Sequence, residues 1–95
     1  MHFVKNRLSD DLAAGIESRV LQLLRSLSID ESDAMLQVEI PKSPGFVDLN
    51  LEVGSLRLPF RIEKVCFEDS IEAQLRGLRP KLMRRIPLCA LANAE

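Results

Sequence analysis

The apolar positions of this chain change their period along its length. From Leu8 to Leu27 they fall three or four apart: Leu8, Leu12, Ile16, Val20, Leu24 and Leu27, with Ala13 and Leu23 widening the stripe. That spacing lines one side of an α-helix. Asp11, Ser18, Gln22 and Arg25 fall on the opposite side. Ser9 is placed to cap the first turn, where Asp10 and Asp11 complement the helix dipole. Arg19 and Arg25 carry the opposite sign into the later turns. The spacing therefore predicts a helix over 9–27, ending near Ser28 ahead of the acidic loop 29–33.

The next three segments alternate. Leu36, Val38 and Ile40 alternate with Gln37 and Glu39. Val47, Leu49, Leu51 and Val53 alternate with Asp48, Asn50 and Glu52. Leu56, Leu58, Phe60 and Ile62 alternate with Arg57, Pro59 and Arg61. Each segment reads as a strand with one buried face. Gly54-Ser55 between the last two suits a two-residue type II′ turn, which sets the pairing. Val53 then faces Leu56, Leu51 faces Leu58, Leu49 faces Phe60 and Val47 faces Ile62. On the other side Glu52 meets Arg57 and Asp48 meets Arg61. A slip of one residue would turn every side chain to the wrong face.

Pro59 falls opposite Asn50 at a pair that exchanges no backbone hydrogen bonds, so its strand is expected at a sheet edge or bulge. The turn PKSPG joins the segment 35–40 to 47–53, giving a three-stranded antiparallel meander in the order 1-2-3. The outer edge of 35–40, with Gln37 and Glu39, is left open to a partner strand. Past Ile62 the alternation loses phase, and a bulge or strand end near Glu63–Lys64 would bring Val65 and Phe67 back inward.

Residues 68–78 fit either period. Glu, Ala, Gln, Leu and Arg favour a helix, with Ile71, Leu75, Leu78, Leu82 and Ile86 as its stripe and Asp69 with Glu72 as a capping box. Gly77 and Pro80 are expected to break it, with Pro80 opening a second short helix. The expected fold is α+β in a single small domain over 1–95: an N-terminal amphipathic helix, the three-stranded meander, and a broken C-terminal helix. Both helices cover one sheet face, because a sheet apolar on one side must bury it.

Composition narrows the function without naming it. The formal net charge of −1 provides no global field toward nucleic acid or an anionic membrane. No apolar run approaches the ~18 residues of a membrane span, and no export signal is evident, so a cytoplasmic location is expected. Cys66 and Cys89 read as two buried thiols rather than a disulfide.

His2 is the only histidine and lies where chains usually fray. It forms no recognisable pair with a serine or cysteine, and no metal-ligand spacing is present, so no catalytic, metal or cofactor residue is assigned. Asp30, Glu31 and Asp33 lack the glycine of a calcium loop. The carboxylates Glu39, Asp48, Glu52 and Glu63 are explained by cross-strand ion pairs more simply than by acid–base chemistry.

The run RGLRPKLMRR holds Arg76, Arg79, Lys81, Arg84 and Arg85 and no acid. It could contact phosphates, or it could be a solvated helix face, where positive charge near a C-terminus is favourable. With no Trp or Tyr, no base-stacking platform is evident. The tail beyond it, with Leu88 and Leu91, is apolar enough to dock on a partner. The expectation is a non-catalytic protein-interaction module, such as an adaptor, inhibitor or small subunit. It would bind a partner protein or itself through Gln37, Glu39, the basic run, Leu88 and Leu91. The alternative is nucleic-acid binding through 76–85. The stretch VEIPKSPGFVDLNL also resembles a strand–turn segment of the N-terminal domain appended to arginyl-tRNA synthetases, over fourteen residues; the rest of the chain does not follow that pattern.

Overall fold

A computed structural model describes the backbone of residues 1–94 and the side chains of residues 1–84. Its elements are β1 (His2–Val4), α1 (Asp10–Ser26), a 3-10 turn (Glu31–Asp33), β2 (Ala34–Val38), β3 (Phe46–Val53), β4 (Leu56–Glu63) and α2 (Phe67–Ala94). They form one four-stranded sheet in the order β1-β2-β3-β4. The α+β class is as expected. The sheet is mixed, because β1 pairs parallel to β2 while the other pairs are antiparallel.

The meander has the expected register. Val53 pairs with Leu56, Leu51 with Leu58, Leu49 with Phe60 and Val47 with Ile62, and the outward pairs are Glu52 with Arg57 and Asp48 with Arg61. Gly54 has φ +61, and Ser55 is not among the residues with positive φ, as a type II′ turn requires. Pro59 lies opposite Asn50 in β4, an edge strand of the sheet.

The strand β1 was not expected. Its pairing of His2, Phe3 and Val4 with Met35, Leu36 and Gln37 covers the edge that the sequence reading left open. Parallel neighbours need a crossover connection, and α1 provides it. The side chain of Asn6, held at φ +51, donates to the carbonyl of Val38 and caps the edge just past β1. β2 also ends earlier than expected. Ile40 lies beyond it in the β2–β3 connection and is 83% exposed rather than part of the buried face.

Ser9 caps α1 through a bond from the Leu12 N–H at 3.4 Å. At the other end Ser28 adopts φ +57. Its N–H donates to the carbonyl of Arg25, and that of Ile29 to the carbonyl of Leu24. These two bonds make a Schellman motif with serine in place of the usual glycine, which explains why the helix stops there. Asp30 then caps the 3-10 turn by accepting from the Ser32 N–H at 3.0 Å, and Glu31 pairs with Arg25. The acidic loop is thereby accounted for as local structure.

α2 corrects two expectations. It begins at Phe67, with the Ser70 N–H donating to Cys66 O, so Asp69 lies inside the first turn and is not a capping residue. The hydroxyl of Ser70 accepts from the Glu63 N–H at 2.8 Å and ties the helix start to the end of β4. Val65, in the turn between them, is 89% exposed and does not return to the core.

The helix also continues through Gly77 and Pro80 without a break. Those two residues cost a helix interior about 1 and 3 kcal/mol. Leu78 and Leu82 are buried on the sheet, at about 1.5–3 kcal/mol each. Burial of the stripe beyond the breakers therefore offsets their local penalty. An added Cβ at Gly77 would meet no heavy atom within 4 Å. Gly77→Ala should then raise stability by about 1 kcal/mol, seen as a melting temperature higher by about 4–8 °C in a thermal scan.

Both helices pack on one face of the sheet in a single core. Ile16, Val20 and Leu24 come from α1, Leu36, Leu49, Leu51 and Ile62 from the strands, and Ile71, Leu78 and Leu82 from α2. Phe3 of β1 packs against the same cluster.

Candidate functional site

The expected partner-binding residues do not form one surface. Arg76 and Arg79 line an open groove between α2 and α1, together with Arg19, Gln22 and Ser26. Arg79 donates to the Ser26 hydroxyl at 3.3 Å. Arg19 pairs with Glu68 and lies 5.5 Å from the centre of the Phe67 ring. Glu72 lines the same groove, so it is not purely basic. At 3.6 residues per turn, Lys81 points about 200° around the helix from Arg79. Lys81 and Arg84 are exposed and belong to other sides of α2. The side chains of Arg85, Leu88 and Leu91, with Cys89, lie outside the described residues. Gln37 pairs with Val4, so the β2 edge does not present it to a partner strand.

On the sheet face away from the helices Asp48 and Glu52 form the expected cross-strand ion pairs, whereas Glu39 and Glu63 form none among the described residues. Arg57 bonds Glu52 at 2.8 Å, and Arg61 bonds Asp48 at 2.7 and 3.3 Å while lying 5.0 Å from the Phe46 ring centre. The Arg61 guanidinium, outweighing partial burial, holds the Asp48 carboxyl below the usual carboxylate range. Asn50, almost fully buried among these groups, donates to Glu52 at 3.4 Å. These carboxylates are occupied by neighbours and converge on no common point.

Cys66 is an exposed free thiol, which corrects the expectation that it is buried. It immediately precedes α2, and a helix N-terminus favours a thiolate. Glu63, which accepts from the thiol, has the opposite and larger effect; desolvation and Asp69 act the same way, and the thiol pKa is raised. Cys66 should therefore react slowly with iodoacetamide at mildly alkaline pH despite its exposure. Glu63→Gln should speed the reaction. Peptide-resolved mass spectrometry reads the rate at Cys66 separately from that at Cys89. Among the described residues no group of three or more His, Cys, Asp and Glu side chains is placed to hold a metal, and no helix is long and apolar enough to cross a membrane.

A concavity lies at the end of the sheet where three connections meet: β1 to α1, β2 to β3, and β4 to α2. Asn6, Arg7 and Leu8 come from the first, Glu39, Ile40 and Pro41 from the second, and Lys64 from the third. Val38, Phe46, Val47 and Asp48 contribute from the adjoining strand ends. The cleft measures about 490 Å³. The Lys64 N–H donates to Gly45 O at 2.8 Å and the Glu39 N–H to Asp48 O at 2.8 Å, fixing two of its walls. Of the described residues expected from the sequence to bind a partner, only Glu39 is here. Arg7, Ile40, Phe46 and Lys64 were missed as site residues. The exposure of Ile40 follows from its position past the end of β2, which its apolar character concealed.

No family model, no curated protein and no solved structure matches the chain.

Proposed function

We propose that the chain is a non-catalytic protein-interaction module that acts by occupying a partner's surface. The observation that carries this reading is the cleft at the end of the sheet. Its lining is largely apolar, Ile40 stands exposed at its lip, and the exposed Val65 follows Lys64 directly in the chain. Single exposed apolar side chains are ordinary, whereas apolar exposure gathered at a concavity marks an interaction surface. The rigid sheet and two packed helices hold the three connections in place, an arrangement that favours recognition by loops on a scaffold.

Affinity capture from the native source, read by mass spectrometry, tests this reading together with light scattering on the purified chain. A partner that binds again when purified, or a defined oligomer, supports it. A monomer that captures nothing reproducibly and turns over a small molecule overturns it.

Nucleic-acid binding is the second reading, favoured by Arg19, Arg76 and Arg79 along one groove. It requires an affinity for DNA or RNA that falls steeply with salt. A gel-shift series at low and moderate salt decides it, and no binding at low salt removes it.

A further inference from the structure

We infer that the cleft at the end of the sheet receives an acidic peptide segment that anchors one apolar side chain on its floor. The inference rests on the reading of the chain as a protein-interaction module and names the chemistry of its partner. The argument is one of charge and shape together. Leu8, Val38 and Val47 give the cleft an apolar base, and half-buried Phe46 and exposed Ile40 stand beside it. That base suits an apolar side chain.

The rim has a different character from the chain as a whole, whose net charge is −1. Arg7 and Lys64 line the cleft, and exposed Lys5 and Lys42 lie on the same two connections as Arg7 and Ile40. Among the described residues Lys5, Arg7 and Lys64 form no ion pair, whereas the charge of Lys42 acts on Asp48, whose carboxylate also accepts from the Lys42 N–H. Two carboxylates lie among them. Asp48 is already engaged by Arg61, which leaves Glu39 as the one acid of the lining without an ion pair among the described residues. The mouth is thus locally positive. A complementary partner places carboxylates at the rim, where they speed and orient association, and an apolar group below, where burial stabilises the complex. A nucleic-acid backbone fits less well, since its phosphates would match the rim and leave the apolar floor empty.

The α1–α2 groove does not offer the same combination. Its Arg19 is engaged by Glu68, Arg79 by a hydroxyl, and Glu72 lies within it.

The test is an NMR titration of the full ¹⁵N-labelled chain with two synthetic hexapeptides. One has a central leucine–phenylalanine pair flanked by aspartates and glutamates. The other is identical but with lysine at every acidic position. The acidic peptide is expected to shift the amides of Arg7, Leu8, Ile40, Phe46 and Lys64, while the lysine peptide leaves them in place. In the double variant Arg7→Glu, Lys64→Glu, binding should weaken about tenfold or more. Both positions are exposed or at the rim, so its amide spectrum should otherwise match the parent and report an intact fold.

Absence of any shift at ~1 mM acidic peptide overturns the inference. So does equal response to both peptides, a response centred on the α1–α2 groove, or displacement of the peptide by a single-stranded oligonucleotide. Concentration-dependent shifts of the same amides without peptide would assign the cleft to a second copy of the chain and also overturn it. If the peptide fails here while capture or light scattering identifies a partner, the cleft assignment falls and the interaction reading stands.

Discussion

Leu49→Asp should abolish the cooperative fold. Leu49 is 1% exposed at the centre of the sheet, paired with Val38 on one side and Phe60 on the other. The helices cover this face, so an aspartate here would lose leucine packing and enter the core without a cation. Removing a buried leucine costs about 2–5 kcal/mol. Desolvating an unpaired carboxylate, or protonating it to avoid that, costs several more. A domain of this size has about 5–15 kcal/mol in all. Far-UV circular dichroism should show no cooperative thermal transition for the variant. The adjacent Asp48 points to the opposite, ion-paired face, where its loss gives up bonds from Arg61 and the Lys42 N–H but leaves no charge in the core, so Asp48→Ala should cost about 1–3 kcal/mol and keep a cooperative transition. A folded Leu49→Asp protein would mean that the sheet register is wrong by one residue.

That register was legible because two independent signals agree on it. Gly54-Ser55 permits a two-residue turn, and the alternation on either side supplies four apolar pairs and two charge pairs only in that alignment. β1 left no such trace. Three residues hold too little alternation to show a period, and the pairing partner lies across the whole of α1. Parallel pairing is set by the crossover that returns the chain, which local pattern does not contain. Without β1 the sequence leaves Gln37 on an open edge, which Phe3 and its neighbours occupy in the fold.

The candidate cleft was obscure for a related reason. Its parts come from three separate connections, and none has a motif. Arg7 follows an asparagine in the left-handed region, Ile40 has the phase of a buried strand residue, and Lys64 lies where the alternation fails. The broken phase did announce the end of β4. The β3–β4 register also places that end: with Val47 opposite Ile62, Phe46 faces Glu63 and Gly45 lies beside Lys64. What local pattern could not announce is that the β1–α1 and β2–β3 connections come to the same place. The basic run shows the opposite error. Cations close in sequence suggest one surface, and a continuous helix turns the described ones, Arg76, Arg79, Lys81 and Arg84, to different sides.

Leu82→Ala should destabilise the domain by about 2–5 kcal/mol, and the size of that loss tests the continuity of α2. Leu82 lies beyond both Gly77 and Pro80 and is 1% exposed, in the same core as Ile71 and Leu78. If the helix broke at those residues and the rest attached loosely, truncating Leu82 would change little. If burial beyond the breakers holds the helix together, the full cost of a core cavity appears. Met83 supplies the control, being the next residue and 45% exposed. Methionine and leucine have similar helix propensities, so Met83→Ala and Leu82→Ala alter the helix itself almost equally. The difference between them isolates the core contact. Urea denaturation should show a much lower midpoint for Leu82→Ala, and for Met83→Ala an unfolding free energy within about 0.5 kcal/mol of the parent. Equal, small effects at both positions would show that the segment after Pro80 contributes nothing to the core.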